Sequence, residues 1–88
     1  MKIYWSTNAR EDYLHWRMTD AKIHRWINDL IADIQRDPFK GLGKPEPLKH
    51  ALQGYWSRRV TQEDRLVYRV SGKGGDKRLE IIQCRYHY

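Results

Sequence analysis

Ile23-His24-Arg25-Trp26-Ile27-Asn28-Asp29-Leu30-Ile31-Ala32-Asp33-Ile34 is the stretch on which the fold turns. Its Ile23, Trp26, Ile27, Leu30, Ile31 and Ile34 fall at i, i+3, i+4, i+7, i+8 and i+11. An apolar stripe this wide at helical period belongs to a helix laid on a core. Thr19-Asp20 caps its start, and Asp37-Pro38 stops it, because the residue before proline is steered away from the helical region. Upstream, Ser6, Thr7 and Asn8 are each competent N-caps, and Glu11 follows Asn8 in capping-box spacing. A first helix then runs to about Met18 with Ala9, Tyr13 and Trp16 on one stripe, behind a short strand at Lys2-Ile3-Tyr4-Trp5. The two helices predict an antiparallel hairpin with a tight turn, whose apolar side must cover a sheet.

Downstream, residues 38–54 hold all three prolines and three of the six glycines, which predicts a structured loop with one short helical turn around residues 48–52. After Gly54 the period changes to two. Residues 55–60, 65–70 and 78–86 predict three strands rich in aromatic and β-branched residues. Thr61-Gln62-Glu63-Asp64 makes the first turn, and residues 71–77 a longer, flexible one. The order β-α-α-β-β-β implies an α+β layer, a mostly antiparallel sheet with the helical hairpin packed on one face. At 88 residues the chain is expected to form a single domain, 1–88.

Composition narrows the function. The one cysteine, Cys84, excludes an internal disulfide and four-thiolate zinc sites, and its apolar neighbours make it a small core residue. Met1 to Trp5 leads straight into polar residues without a signal-peptide pattern, and no apolar run nears the length of a membrane span, so a reducing cytoplasm is expected. The net charge of +6 is uneven: residues 1–40 carry seven Lys/Arg against six Asp/Glu, and residues 41–88 carry ten against five. A basic half predicts a polyanionic partner, nucleic acid being the commonest.

Alternation sorts the strand side chains. Leu66, Tyr68 and Val70 share one face and Arg65, Val67 and Arg69 the other. In the last strand Ile82, Cys84 and Tyr86 form the apolar set, with Glu80, while Gln83, Arg85 and His87 project oppositely. Arg58 and Arg59 must face opposite ways. The expected result is a helix-covered face and an open face bearing Arg65, Arg69, Arg85 and His87 without interleaved carboxylates, suited to a phosphate backbone.

Gly-rich phosphate loops, Ser–His–Asp sets and Cys/His metal spacings are absent, so neither metal nor cofactor is expected. Glu46 stands between Pro45 and Pro47, which hold its backbone at low entropic cost. His15 and His24 read as packing residues on the helices, and His50 as a phosphate contact in the basic loop. Metal-free RNA cleavage needs a base for the 2′-hydroxyl proton, a cation for the charged phosphate and an acid for the 5′-oxygen. Glu46, Arg65 and His87 have the right chemistry for those roles, and Trp56 or Tyr88 for stacking on a base.

The strings Gly43-Lys44-Pro45-Glu46-Pro47-Leu48-Lys49-His50, Gly54-Tyr55-Trp56-Ser57-Arg58-Arg59, Arg65-Leu66-Val67-Tyr68 and Cys84-Arg85-Tyr86-His87-Tyr88, with Trp5 and Pro38-Phe39 between them, resemble the YoeB/Txe-type toxins of the RelE/ParE superfamily. The resemblance spans the whole chain and implies a RelE-like, microbial RNase-type fold. It implies a type II toxin that acts as a ribosome-dependent mRNA interferase, cutting the A-site codon and leaving a 2′,3′-cyclic or 3′ phosphate. On that pattern Glu46 is the base, His87 the acid and Arg65 the cation, while Lys49, Arg59 and Tyr88 support phosphate or stack. Lys44, His50 and Arg85 join them as RNA-binding residues. The resemblance further implies a YefM-like antitoxin with an acidic, disordered C-terminal segment, operator DNA bound only together with that antitoxin, and a homodimer, with Trp5 or Trp16 at its interface and no membrane association. Some members of the superfamily poison DNA gyrase and lack the acid–base set, which leaves a non-catalytic binding toxin as the alternative. Residues 71–77 look longer and more glycine-rich than the family pattern, and strict alternation sets Tyr88 opposite His87.

Overall fold

Ser6 opens the first helix by accepting a hydrogen bond from the Ala9 N–H, and Asp20 caps the second by accepting from Lys22 and Ile23. In the computed structural model, which describes residues 1–87, these caps begin α1 (Thr7–Thr19) and α2 (Ala21–Arg36), behind β1 (Lys2–Trp5). A two-residue strand, β2 (Glu46–Pro47), follows, then a 3₁₀ turn at His50–Leu52. The remaining strands are β3 (Trp56–Arg59), β4 (Arg65–Ser71) and β5 (Arg78–Gln83), with a second 3₁₀ turn, Gly74–Asp76, between β4 and β5. The sheet order is β1-β5-β4-β3-β2, antiparallel except for the β1–β5 pair. The α+β architecture expected from the sequence is the one observed. No helix among the described residues is long and apolar enough to cross a membrane.

Core and sheet meet where the helical stripes predict. Ala9 from α1 and Ile27, Leu30 and Ile34 from α2 are fully buried against Leu66, Tyr68, Leu79, Ile81 and Cys84. Trp5, Tyr13, Trp16, Ile23, Trp26 and Trp56 close the edges of this cluster.

Three features depart from the sequence reading. β2 was not anticipated; it pairs antiparallel with β3 as an edge strand, where a proline lacking an N–H is tolerated. The last strand ends at Gln83 rather than at residue 86. The Cys84 N–H donates to Asp12 Oδ2 (3.1 Å), the Trp16 indole N–H donates to the Cys84 carbonyl (2.8 Å), and Tyr86 turns into the left-handed region at φ 67°. The β5 face assignment is also reversed ahead of Ile82, although Cys84 beyond it lies in the core as expected. Val67 pairs with Gln83 but Tyr68 with Ile81, so the register slips by one residue at Ile82. Alternation does not carry through such a bulge. Leu79 and Ile81 therefore face the helices, and Glu80 stands on the open face, where it pairs with Arg69 (2.6 Å) and Arg78 (3.4 Å).

Beneath the sheet lies one buried charge pair. Arg58 is wholly enclosed, and its five N–H donors go to Asp33 Oδ2 (2.6 Å), the Leu42, Asp37 and Lys40 carbonyls and the Tyr68 hydroxyl. Asp33 also accepts the Leu42 N–H (2.8 Å) and pairs with Arg36. The Leu42 N–H first, then the two guanidiniums, draw its carboxyl down to about 2.

Arg58→Ala would strand a buried carboxylate and several carbonyls, so a loss of about 3–5 kcal/mol in urea unfolding is expected. Asp33 is more acidic folded than in an open chain, where a carboxylate titrates near 4. Its contribution is therefore complete above about pH 4 and disappears as pH falls toward about 2. Asp33→Asn is expected to flatten the loss of stability in that window, as read by Tm against pH.

Candidate active site

The register lines the open face up strand by strand. Glu46 lies opposite Ser57, Ser57 opposite Val67, and Val67 opposite Gln83, while Arg59 lies opposite Arg65. Residues directly opposite or two apart share a face, so Glu46, Arg59 and Arg65 all lie on the side away from the helices. With strands about 4.8 Å apart and about 3.4 Å per residue, the Glu46 backbone is roughly 8 Å from that of Arg59 and 12 Å from that of Arg65.

Two opposed arginines would repel. Arg65 answers by folding its Nη1 onto the β3–β4 turn, donating to the Thr61, Gln62 and Asp64 carbonyls at 3.0 Å each. Arg59 stays exposed. Its N–H donates to the Gly43 carbonyl (2.7 Å) and its carbonyl accepts the Trp26 indole N–H (3.0 Å). The Gly43 contact guides the loop toward β2. Gly43 has φ 76°, and a Cβ there would sit 2.8 Å from a Leu30 methyl, so glycine is required on both counts. Beyond it, Glu46, Pro47, Leu48, Lys49, His50 and Leu52 line a shallow groove of about 370 Å³. Of its lining, Lys49 and His50 (φ 57°) are exposed, and Lys44 (φ 53°), two residues before Glu46, is exposed as well.

His87 reaches this neighbourhood by a different route. Besides the Asp12 and Trp16 contacts to Cys84, the Tyr86 N–H donates to Asp64 Oδ1 (2.6 Å) and its carbonyl accepts the Arg65 N–H (3.0 Å). Gln83 Nε2 donates to the Arg85 carbonyl (3.2 Å). The exposed His87 follows directly, so the segment leading into it runs beside Arg65. Arg85 does not project from an extended strand as expected; it stacks over the Tyr86 ring at 4.5 Å. Tyr88, assigned a supporting role from sequence, lies outside the described residues.

Glu80 overturns the expectation of an acid-free face. Its carboxyl is held below the usual range, chiefly by the hydrogen bond from Arg69. Arg69 and Arg78 share this one carboxylate, while Arg59, Lys44 and Lys49 are exposed at the other end of the sheet. Cys84 is the core residue expected: buried, with its thiol pushed up to about 12 by burial.

The sequence reading missed Asp12, Asp33 and Asp64. The first two left a signal. Asp12 falls on the Ala9–Tyr13–Trp16 stripe and Asp33 beside Leu30 and Ile34, and an aspartate on an apolar stripe needs a buried partner. Asp64, in a polar turn, left none.

Residues 5–88 match the family model described as YoeB-like toxin of bacterial type II toxin-antitoxin system. The chain is 56% identical to the toxin YoeB of Escherichia coli over 88 residues, all of both chains. Among solved structures it resembles a YoeB/ParE toxin from Agrobacterium tumefaciens, with TM-score 0.95 and 58% identity over the whole of both chains. It also resembles the Staphylococcus aureus YoeB, at 43% identity over all of this chain and 98% of the other. That protein is solved as a dimer (TM-score 0.89) and in a heterotetrameric YoeB-YefM complex (TM-score 0.88).

Burial raises the Asp12 carboxyl above its ordinary value, against the Cys84 N–H that lowers it. A carboxyl more basic when folded favours the folded state while protonated and withdraws that favour as pH rises through its folded value, the opposite sign to Asp33. Asp12→Asn keeps an acceptor for the Cys84 N–H and is expected to unfold within about 0.5–1 kcal/mol of wild type at pH 7. Asp12→Ala leaves that N–H unpaired and is expected to lose about 1–3 kcal/mol, both read by urea denaturation.

Proposed function

The chain belongs to the YoeB-like toxins of bacterial type II toxin-antitoxin systems, and from that membership and its open sheet face we propose that it is a metal-independent, ribosome-dependent endoribonuclease acting on messenger RNA in the A site. The observation that carries the reading is the convergence of an acid and cations from separate elements. Glu46 on β2 shares a face with Arg59 and Arg65, and the C-terminal segment bearing His87 is tied to the Arg65 backbone.

In this reaction Glu46 takes the proton from a ribose 2′-hydroxyl and the 2′-oxygen attacks the adjacent phosphorus. Arg65 balances charge growing on the phosphate oxygens, because a guanidinium stays protonated and its fork fits two oxygens. The turn engages Nη1 alone, which leaves the Nε–Nη2 edge as the pair of donors suited to a phosphate. The P–O5′ bond breaks, and His87 protonates the departing 5′-oxygen. The products are a 2′,3′-cyclic phosphate end and a 5′-hydroxyl end. Lys49 and Arg59 support the phosphate, Lys44, His50 and Arg85 hold the flanking backbone, and Tyr88 stacks on a base. The net charge of +6 favours approach to a ribosome as well as to RNA.

The same reading extends to partners. As the Staphylococcus aureus relative is solved with YefM and as a dimer, this chain is proposed to pair with itself and with a YefM-like antitoxin whose acidic, disordered segment matches its basic half. Operator DNA would be bound, and the promoter repressed, by the complex with antitoxin in the cytoplasm.

The test is cleavage of a defined message with and without ribosomes carrying an empty A site. Cuts confined to the A-site codon with cyclic phosphate ends are expected, and Glu46→Gln and His87→Gln should each lower kcat about 10²–10⁴-fold. Arg65→Ala should cost a comparable factor. Cleavage indifferent to these substitutions, or no cleavage at all, would overturn the reading in favour of a binding toxin.

A further inference from the structure

Asp64 has no part in the chemistry above, yet it touches every element that the chemistry needs near the chain end. Its Oδ1 accepts the Tyr86 N–H at 2.6 Å and its Oδ2 accepts the Thr61 hydroxyl at 2.7 Å. Its own N–H donates to Thr61 Oγ1 (3.0 Å), and its carbonyl accepts Arg65 Nη1 (3.0 Å). The next amide, that of Arg65, donates to the Tyr86 carbonyl. The two backbone polar groups of Tyr86 are thus gripped by the consecutive residues Asp64 and Arg65.

This grip has work to do. Tyr86 is exposed and adopts φ 67°, a conformation that a non-glycine residue keeps only when its surroundings impose it. Burial of Cys84 anchors the segment two residues earlier, whereas Tyr86 is exposed, its ring lying against the Arg85 guanidinium. A short, charge-assisted hydrogen bond from an aspartate itself oriented by Thr61 supplies the direction that packing does not. Because the same turn receives the Arg65 guanidinium, one rigid unit relates the positions of Arg65 and of the backbone leading into His87.

We propose that Asp64 is a positioning residue that sets the spacing between Arg65 and His87, a role that rests on the reaction proposed above. Misplacing an acid by about 1 Å costs about 10²-fold in rate without weakening binding in proportion. Asp64→Ala is therefore expected to lower kcat about 10²-fold, while KM for the ribosome-bound message stays within about twofold. Asp64→Asn keeps an oxygen acceptor for the Tyr86 N–H and is expected to recover most of the loss. Thr61→Val, which frees Asp64 from its hydroxyl, is expected to lower kcat in the same direction by less. Hydrogen exchange of the Tyr86 amide should be slow in wild type and Asp64→Asn and fast in Asp64→Ala. Wild-type cleavage by Asp64→Ala, or a loss carried by KM alone, would overturn the proposal. A wild-type protein that does not cut would overturn the reaction instead; the amide then decides the clamp, which falls if Tyr86 exchanges equally fast in wild type and Asp64→Ala.

Discussion

The pairing of Arg58 with Asp33 beneath the sheet is the constraint on which the rest depends. All five guanidinium N–H groups are used, and four of their acceptors belong to the end of α2 or the loop that leaves it. The Tyr68 hydroxyl, which receives the Nε–H, itself donates to the Pro38 carbonyl and adds one more tie to that loop. A buried ion pair is weak evidence of net stabilisation, because taking both charges out of water offsets their attraction. Its effect here is on shape. A loop rich in glycine and proline is held in one path, which leads through Gly43 to the Arg59 amide and delivers Glu46 opposite Ser57, the neighbour of Arg58.

The two ends of the candidate site are consequently built by different physics. Glu46 depends on backbone pairing to β3, itself tied through Arg58 to α2. His87 depends on aspartates: Asp12 on α1 receives the Cys84 amide from a residue 72 positions away, and Asp64 in the turn receives that of Tyr86. Arg65 stands between the two systems, its side chain bound to the turn and its amide to the chain end. Glu80, salt-bridged to both Arg69 and Arg78, offsets one of the two positive charges at the far end of the same face, so the sheet is not uniformly basic. Exposed cations, an acid and a groove meet at the other end, where Arg59, Lys49 and Glu46 lie.

While the choice of Ser6 among three candidate caps of the first helix was left to the structure, periodicity alone determined the α+β class, both helices, the strands of the second half to within a residue or two at most ends, and the helical stripes that form the core. These are local properties: a 3.6-residue or two-residue repeat is written in neighbouring side chains and survives whatever the partner is. The strings around Glu46, Arg65 and His87 were likewise legible, because the residue types that move protons and hold phosphates are few. Tertiary structure decided the rest. The slip of register at Ile82 reversed a face that alternation had assigned, and it moved Glu80 into the open. Asp33 and Asp12 became anchors only because Arg58 and the Cys84 amide arrive from 25 and 72 residues away. Strand pairing between β2 and β3 turned a proline-bracketed loop residue into one with a fixed place, and the hold of Asp12 and Trp16 on Cys84 ended the last strand early. In each case the deciding partner is distant in sequence, and a linear pattern carries no record of which buried donor a given acceptor will meet.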